Sequence, residues 1–343
     1  MYLLKAERPL KTSSLPRSPW QSRVRIGWVS NLSKLTPDER QAEKAIQPLD
    51  GRGTARHENK KGGMFHSDGS IRSARLTFKM CSTFCREHGH KQEKFSGLKL
   101  DTAEKFLLHR AEKIQQKQLN TERIAINKHL SKIYNKPIEL PFTKSVRKSP
   151  EIVNRAYTHE QVKELISAAK SQGKNDLAFA IGFSYQTGSR PHELHTVMPP
   201  GIGEASTHRT WSDKIYTGRE GWISAIVDGK GGLNREVRYT SEMTPHLQNS
   251  LREVPQTIID KQRDTSHFSY YKLLAGQKYS QQFGDLSRET FGWSNGAHGL
   301  RHSFAQRRFS ELKNHYPEVA AKQILANELG HFDTSNLVYY GIN

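Results

Sequence analysis

Residues 297–305 read AHGLRHSFA, residues 329–331 read LGH, and residues 339–340 read YY. His298 and Arg301 are three residues apart, so on a helix their side chains lie side by side on one face. Apolar residues at helical spacing form a second face, namely Leu300, Phe304, Ala305, Phe309 and Leu312. This second face predicts that the helix is anchored in a hydrophobic core and presents His298 and Arg301 together.

A second helix is predicted over residues 317–329, because Gly330 is well suited to end a helix in the left-handed conformation. His331 follows this helix end directly, where a side chain can point at a ligand. A short segment that begins near Asp333 then carries Tyr339 and Tyr340. The part of the chain after this helix is therefore a candidate functional site.

These motifs resemble the tyrosine recombinase (phage integrase) family. The HxLRH pattern is followed about thirty residues later by LGH, and Tyr340 lies nine residues beyond that histidine. Upstream, residues 187–194 read TGSRPHEL, which is similar to the family pattern TGxRxxEL, and residues 229–231 read GKG, similar to a hairpin turn of the family. Each motif alone is a weak signal, but four in this order are specific. The resemblance covers residues 155–343 and is loose before them.

The resemblance implies a DNA strand-transfer site with six reactive side chains. They are Arg190, Lys230, His298, Arg301, His331 and Tyr340. Tyr340 is implied as the nucleophile, and the two arginines as a clamp on the non-bridging phosphate oxygens. The two histidines are implied as donors to the same phosphate, with His298 also helping to take the tyrosine proton, and Lys230 as general acid for the leaving 5′ hydroxyl. Glu193 matches an acidic position that orients the arginines.

Ordinary roles stay open for three of these residues. Arg190 also fits a surface arginine of a basic protein, and Glu193 fits a carboxylate on a helix surface. Lys230 lies in a glycine-rich turn, where lysines are commonly solvated.

Such a site implies a site-specific recombinase or integrase that cuts and rejoins double-stranded DNA through a 3′-phosphotyrosyl intermediate. The bond energy is conserved in that intermediate, so the resemblance implies neither a metal nor ATP. It further implies a homotetramer on paired sites, accessory DNA-bending proteins as further partners, and an origin in a mobile genetic element.

Two alternatives stay open. One is a type IB topoisomerase-like enzyme that relaxes DNA by the same chemistry as a monomer. The other is a non-catalytic or assembly-impaired DNA-binding relic of an integrase, because the sequence ends three residues after Tyr340, where the family usually continues with a segment that docks on a neighbouring subunit. The presence of all six reactive residue types speaks against a relic.

Composition supports a polyanionic partner. The chain has 53 Lys and Arg against 34 Asp and Glu, a formal net charge of +19. Nucleic acid is the first candidate, and an anionic membrane surface is the alternative. No segment reaches the roughly 18 consecutive apolar residues of a membrane span, and no signal peptide is recognised. Cys81 and Cys85 are predicted to be reduced core neighbours without enough ligands for zinc. We predict a cytoplasmic, nucleoid-associated protein.

The predicted fold class is mainly α with a small antiparallel β hairpin (α+β). Residues 1–69 are predicted to be irregular or loosely folded, with an extra DNA-contacting arm as the alternative. Residues 70–137 are predicted to form a helical core-binding domain that clamps DNA, residues 138–154 a linker, and residues 155–343 the catalytic domain.

Lys128, Lys132 and Lys136 recur every four residues and are the predicted phosphate contacts of the helical domain. The alternative is a generic bundle with a solvated basic face.

Three further segments have a predicted conformation. Residues 222–240 are predicted as a hairpin with a glycine-rich turn at 228–234. Residues 199–221 form a longer connection than the family requires, which we interpret as a surface insertion. Residues 245–295 are predicted to be helical and polar.

Overall fold

The computed structural model describes residues 32–52, 63–89, 95–147, 153–229, 232–260 and 265–342. Within these ranges the chain forms ten α-helices and four β-strands, joined by short 3-10 helices and irregular segments. The strands form two separate two-stranded antiparallel sheets. The predicted mainly α fold class with a small antiparallel sheet is confirmed.

The N-terminal helices share one hydrophobic core. They are α1 (Pro37–Ile46), α2 (Asp68–Glu87), α3 (Leu100–Ala111) and α4 (Gln116–Ile133). Phe78, Phe106 and Ile126 are buried at its centre, and Cys81 and Cys85 are also buried there, as predicted. This core extends from Ala42 to Leu140 in the sequence, and the later residues build different cores. The predicted division into domains stays a prediction, which these separate cores support.

The prediction that residues 1–69 are irregular is wrong for helix α1. Thr36 and Glu39 form a capping box at its start, and Pro37 occupies the first helical position, where its missing N–H costs nothing. Ala42 and Ile46 are fully buried against the other helices. The capping signal is visible in the sequence, but it is surrounded by proline-rich and basic residues. Residues 1–31 and 53–62 lie outside the described ranges.

The rest of the chain packs around helix α6 (Asn175–Thr187), which is buried on almost every side, as its apolar composition predicts. Helix α5 (His159–Ser171) and helix α8 (Gly276–Phe291) pack on it. Helix α9 (Gly299–Lys313) crosses it and continues into helix α10 (Glu318–Glu328) and a 3-10 helix, Thr334–Tyr340. These last elements carry the motifs of the C-terminal end.

The predicted hairpin consists of strands β1 (Ile223–Asp228) and β2 (Asn234–Tyr239), paired from Ile223 with Tyr239 to Asp228 with Asn234. The turn is closed by a hydrogen bond from the Gly229 N–H to the Leu233 carbonyl, 2.8 Å. Residues 230–231 lie outside the described ranges, so the predicted position of Lys230 stays a prediction.

The prediction of helix over residues 245–295 is wrong in the middle of that range. A short helix, α7 (Thr244–Ser250), is followed by strands β3 (Leu251–Asp260) and β4 (Thr265–Tyr271), which form a second antiparallel hairpin. β-Branched and aromatic residues favour the pleated conformation, and both strands are rich in them. Polar residues lie between them, so the apolar pattern that is typical of a strand is hard to recognise in the sequence. The predicted helix is confirmed at the two ends of the range, by α7 and α8.

The interpretation of residues 199–221 as an insertion stays a prediction, and the segment lies only partly at the surface. Ile215 is buried in the core that contains Leu329 and Tyr340. Arg219 is buried as well and pairs with Glu311 and Glu328. We call residues 199–221 the Trp211 segment. It is an integral part of the structure around α9 and α10.

Across the described ranges, no helix combines the length and the apolar character that crossing a membrane requires.

Candidate active site

A cavity of about 480 Å³ opens where the C-terminal motifs converge, and we call it the C-terminal pocket. Arg190, His298, His331 and Tyr340 all line it. Arg301 lies behind the residues that line this pocket and donates a hydrogen bond to the Tyr340 hydroxyl. Five of the six predicted reactive residues are therefore brought together from positions up to 150 apart in the sequence. The sixth, Lys230, lies outside the described residues.

Arg301 is fully buried on α9, and its guanidinium holds the site together. It donates hydrogen bonds to the Gly188 carbonyl, to the Leu329 carbonyl at 2.7 Å and, through Nε, to the Tyr340 hydroxyl at 3.0 Å. Burial and the nearby charge of Arg190 lower the pKa of Arg301 to about 10, so it remains charged at neutral pH. One cation thereby joins the ends of α6 and α10 to the candidate nucleophile.

The turn at Gly188 requires glycine. Gly188 ends α6 with φ +62, and a Cβ at this position would lie 2.5 Å from Cδ1 of Phe304. L-residues with a side chain rarely adopt this left-handed conformation. The turn directs the Gly188 carbonyl to Arg301 and begins the segment that carries Arg190.

Tyr340 is 4% exposed, and its hydroxyl lies between two groups of the site. Nε of Arg301 and Nε2 of His331 are both 3.0 Å from the hydroxyl oxygen. The arginine can only donate, so the tyrosine proton is available to Nε2 of a neutral His331. Burial, followed by the charges of Arg301 and Arg190, lowers the pKa of His331 to about 3. At neutral pH the imidazole is therefore a hydrogen-bond acceptor for Tyr340.

His298 is half-buried at the start of α9 and lines the same pocket. Burial, and then the charge of Arg301, lowers the pKa of His298 to about 3. It is also neutral at pH 7 and offers one N–H to a ligand. A phosphate in the pocket would favour the protonated form of both histidines, because a negative charge stabilises an adjacent cation.

Arg190 and Glu193 form the other side of the site. The Glu193 carboxylate accepts hydrogen bonds from the guanidinium and, at 3.0 Å, from the backbone N–H of Arg190. Its second partner is Arg235 of β2, at 2.9 Å. Although burial opposes ionisation, Arg235 and Arg190 hold the pKa of Glu193 well below its ordinary value. Glu193 is therefore a buried anion with two arginine partners, and its predicted role in orienting the catalytic arginines stays a prediction.

Arg235 was not predicted from the sequence. Only 1% of its side chain is exposed. A usable signal was present, because Arg235, Val237 and Tyr239 alternate along β2 and share its buried face. An arginine on a buried face needs an anion, and Glu193 provides it.

His302 is the second residue that sequence reasoning did not select. It lies one turn after His298 on α9, lines the C-terminal pocket and is 5% exposed. The centroid of its ring is 4.8 Å from that of Tyr340, at an interplanar angle of 61°. Burial, and then Arg155 and Arg301, lower the pKa of His302 to about 4. Its neutral ring packs against the tyrosine ring. Its spacing from His298, one helical turn along the same helix, was the signal that could have identified it in the sequence.

Tyr339, the neighbour of the candidate nucleophile, is 49% exposed. The ammonium group of Lys117, from α4, lies 5.0 Å from the centre of its ring, and Lys117 also lines the C-terminal pocket. Tyr339 is thus not in the core and contacts the N-terminal helices. Its hydroxyl forms none of the contacts made by that of Tyr340 with Arg301 and His331.

The predicted DNA-binding lysines on and after α4 differ in their surroundings. Lys132 and Lys136 are exposed. Lys128 is half-buried, lies 4.6 Å from the centre of the Phe65 ring and donates a hydrogen bond to the Met64 carbonyl. Lys132 and Lys136 are therefore better placed than Lys128 to reach a phosphate.

Among the described residues, no group of three or more His, Cys, Asp or Glu is arranged to hold a metal ion.

No protein-family profile and no curated protein sequence matches this chain. Solved structures do match. One is the XerH site-specific recombinase bound to palindromic difH substrate in a post-cleavage complex, with a TM-score of 0.53 and 14% identity over 88% of this chain and 90% of that chain. The XerH recombinase in a pre-cleavage complex with difH gives a TM-score of 0.50 and 16% identity over 79% of this chain and 75% of that chain.

At this level of identity the similarity concerns the fold. It extends over most of the chain. The chain therefore has the fold of the tyrosine recombinases.

Proposed function

We propose that this protein is a site-specific DNA strand transferase that cuts and rejoins double-stranded DNA through a 3′-phosphotyrosyl intermediate. The observation that carries the proposal is the position of the Tyr340 hydroxyl, 3.0 Å from both Arg301 and His331 at the wall of a cationic pocket. A phenol with a pKa of about 10 needs such surroundings to act as a nucleophile at neutral pH. The similar XerH structures are complexes with DNA before and after cleavage, which agrees with this chemistry.

In the proposed reaction the scissile phosphate enters the pocket beside Tyr340. The hydroxyl attacks phosphorus while its proton passes to Nε2 of His331. The tyrosine O–P bond forms and the bond from phosphorus to the 5′ oxygen breaks, with Lys230 supplying a proton to that oxygen. Arg190 and Arg301 stabilise the added negative charge on the non-bridging oxygens, and His298 donates its N–H to the same phosphate.

The structure favours His331 over His298 as the group that takes the tyrosine proton. Nε2 of His331 is within hydrogen-bond distance of the Tyr340 hydroxyl, whereas the ring of His298 contacts that of His302, with centroids 5.4 Å apart. Once protonated, His331 becomes a second donor beside the phosphate. Rejoining by a 5′ hydroxyl reverses each proton transfer. Because the phosphotyrosyl bond conserves the energy of the broken phosphodiester bond, the proposed cycle needs no ATP, and none of its steps uses a metal ion.

We further propose that the protein acts as a homotetramer on paired sites of a mobile genetic element, with accessory DNA-bending proteins, in a nucleoid-associated cytoplasmic setting. Exposed lysines such as Lys132 and Lys136 would contact the duplex backbone, and the net charge of +19 suits a polyanionic substrate. A topoisomerase-like enzyme would share the chemistry but would relax supercoiled DNA as a monomer.

Trapping the intermediate tests the proposal. The full chain is incubated with a library of nicked duplexes in which the short cleaved fragment diffuses away, in EDTA and without ATP. We expect a protein–DNA adduct that survives denaturant, and sequencing of the attached DNA would give a common site. If no adduct forms although DNA is bound, the protein is a non-catalytic binding protein and the proposal is wrong. Relaxation of any supercoiled plasmid would identify the topoisomerase alternative.

The role of Lys230 has its own test. Lys230→Ala should cleave normal DNA at least about 10²-fold more slowly, the usual scale for loss of a general acid. It should recover on DNA whose leaving 5′ oxygen is replaced by sulfur, because a thiolate leaves without a proton. Arg301→Ala is the matched comparison and should stay slow on both substrates. Equal recovery of both variants, or of neither, would contradict these roles.

A further inference from the structure

The turn that carries His331 has an unusual backbone. Among the described residues, only Asn135 and Phe332 have a positive φ without being glycine, and Phe332 has φ +58. Asparagine tolerates this region, whereas a bulky residue such as phenylalanine rarely occupies it. Gly330 is also left-handed, with φ +71. His331 is therefore held between two left-handed residues at the end of α10.

This conformation directs the His331 side chain. The backbone N–H groups of His331 and Phe332 both point at the Ala326 carbonyl, at 2.8 and 3.3 Å. The chain thus folds back over the last turn of α10, and Nε2 of His331 comes within 3.0 Å of the Tyr340 hydroxyl. A residue at 332 that relaxed to a negative φ would rotate this turn and move the imidazole.

The Trp211 segment holds Phe332 in place. The ring of Trp211 lies against that of Phe332, with centroids 4.8 Å apart and an interplanar angle of 65°. The guanidinium of Arg209 lies 5.3 Å from the centre of the same ring. Arg209 and Trp211 therefore contact the one residue of this turn whose conformation is unfavourable.

The same segment is tied to the last turn of α10. The Ser212 N–H donates to the side-chain oxygen of Asn327 at 3.0 Å, and Trp211 Nε1–H donates to the Ser206 carbonyl at 2.9 Å. Arg219 pairs with Glu328 at 3.5 Å. Trp211 is thus fixed relative to the helix end from which His331 emerges.

We propose that Trp211 is a positioning residue that acts through Phe332 to aim His331 at Tyr340. Packing by Trp211 keeps Phe332 in the left-handed conformation. Without this packing, residue 332 would relax to a negative φ. The Trp211 segment therefore belongs to the apparatus of the site, although none of the residues that line the C-terminal pocket comes from it. The inference rests on the proposed function for its catalytic consequence, but its structural consequence can be measured without DNA.

The first measurement is catalytic. Trp211→Ala should slow single-turnover adduct formation on a nicked duplex by about 10²-fold, the scale of a 1 Å misplacement, with little change in DNA affinity. Trp211→Phe keeps an aromatic ring and should retain most of the rate. Tyr270→Ala removes a half-buried aromatic of β4 outside the pocket and serves as the control for general loosening. Equal slowing in Tyr270→Ala, or a normal rate in Trp211→Ala, would overturn the proposal.

The second measurement uses the backbone. Glycine adopts φ +58 without support. Adding Phe332→Gly to Trp211→Ala should therefore recover at least about tenfold of the lost rate, whereas adding Phe332→Ala should recover nothing. If the two double variants behave alike, the left-handed conformation is not what Trp211 maintains.

A crystal structure of Trp211→Ala without DNA separates this inference from the proposed function. We expect residue 332 to leave φ +58 and the His331 to Tyr340 hydrogen bond to be lost. If the wild type forms no adduct but this change occurs, the proposed function fails and the positioning role of Trp211 stands. If the turn is unchanged, the inference is wrong whatever the activity.

Discussion

Tyr340→Phe is expected to abolish covalent protein–DNA adducts on a nicked duplex while DNA binding is retained. The substitution removes the hydroxyl that lies between Arg301 and His331 and keeps the ring that packs against His302. Loss of the two buried hydrogen bonds that this hydroxyl makes should lower the free energy of unfolding by about 2–3 kcal/mol, which leaves the protein folded. Adduct yield after denaturing electrophoresis and affinity from a binding titration measure the two effects separately.

The neighbouring tyrosine provides the control. Tyr339→Phe also removes one hydroxyl, but from a side chain that is half exposed and contacts Lys117. Adduct formation should remain within about a factor of two of wild type, since surface substitutions are usually within 0.5 kcal/mol of neutral. A peptide map of the trapped wild-type adduct with DNA attached to Tyr339 would overturn the assignment of Tyr340.

The residues of the C-terminal end were predictable because local rules determine their directions. His298 and Arg301 occupy one helix face, and Gly330 marks the end of α10. The pairing of β1 with β2 was also predictable from the glycine-rich turn between two short strands. In each case the signal lies within a few residues of the feature that it determines.

The partners across the site were not predictable in this way. Glu193 pairs with Arg235, 42 residues later, and Arg301 bonds to carbonyls of Gly188 and Leu329. Every residue has a backbone carbonyl, so the sequence does not mark which carbonyls accept these hydrogen bonds. Nor does the sequence show which residue will pair with a charged side chain in a strand. The left-handed Phe332 is the clearest case, because its side chain is disfavoured in that conformation and only the fold maintains it.

Glu193→Gln is expected to lower the free energy of unfolding by about 3–5 kcal/mol at neutral pH, because it removes one partner of a buried ion pair. The amide keeps the size of the side chain but leaves the buried Arg235 without its anion, and Arg190 loses its orienting group. Adduct formation should also decrease in this variant, since Arg190 would no longer be held at the pocket. Urea unfolding at pH 7 measures the first effect.

The pH dependence of the free energy of unfolding distinguishes the loss of the Glu193 charge from a packing defect. The pKa of Glu193 in the folded protein is held below its ordinary value of 4.5, so its stabilising contribution is present above that value and is lost as the pH falls through the folded-state pKa. The difference between wild type and Glu193→Gln should therefore shrink progressively below pH 4.5. Glu164→Gln makes the same change at an exposed position of α5 and should stay within about 0.5 kcal/mol of wild type. A difference for Glu193→Gln that is small at pH 7, or that does not change between pH 7 and pH 3, would show that Glu193 does not stabilise the arginines by its charge.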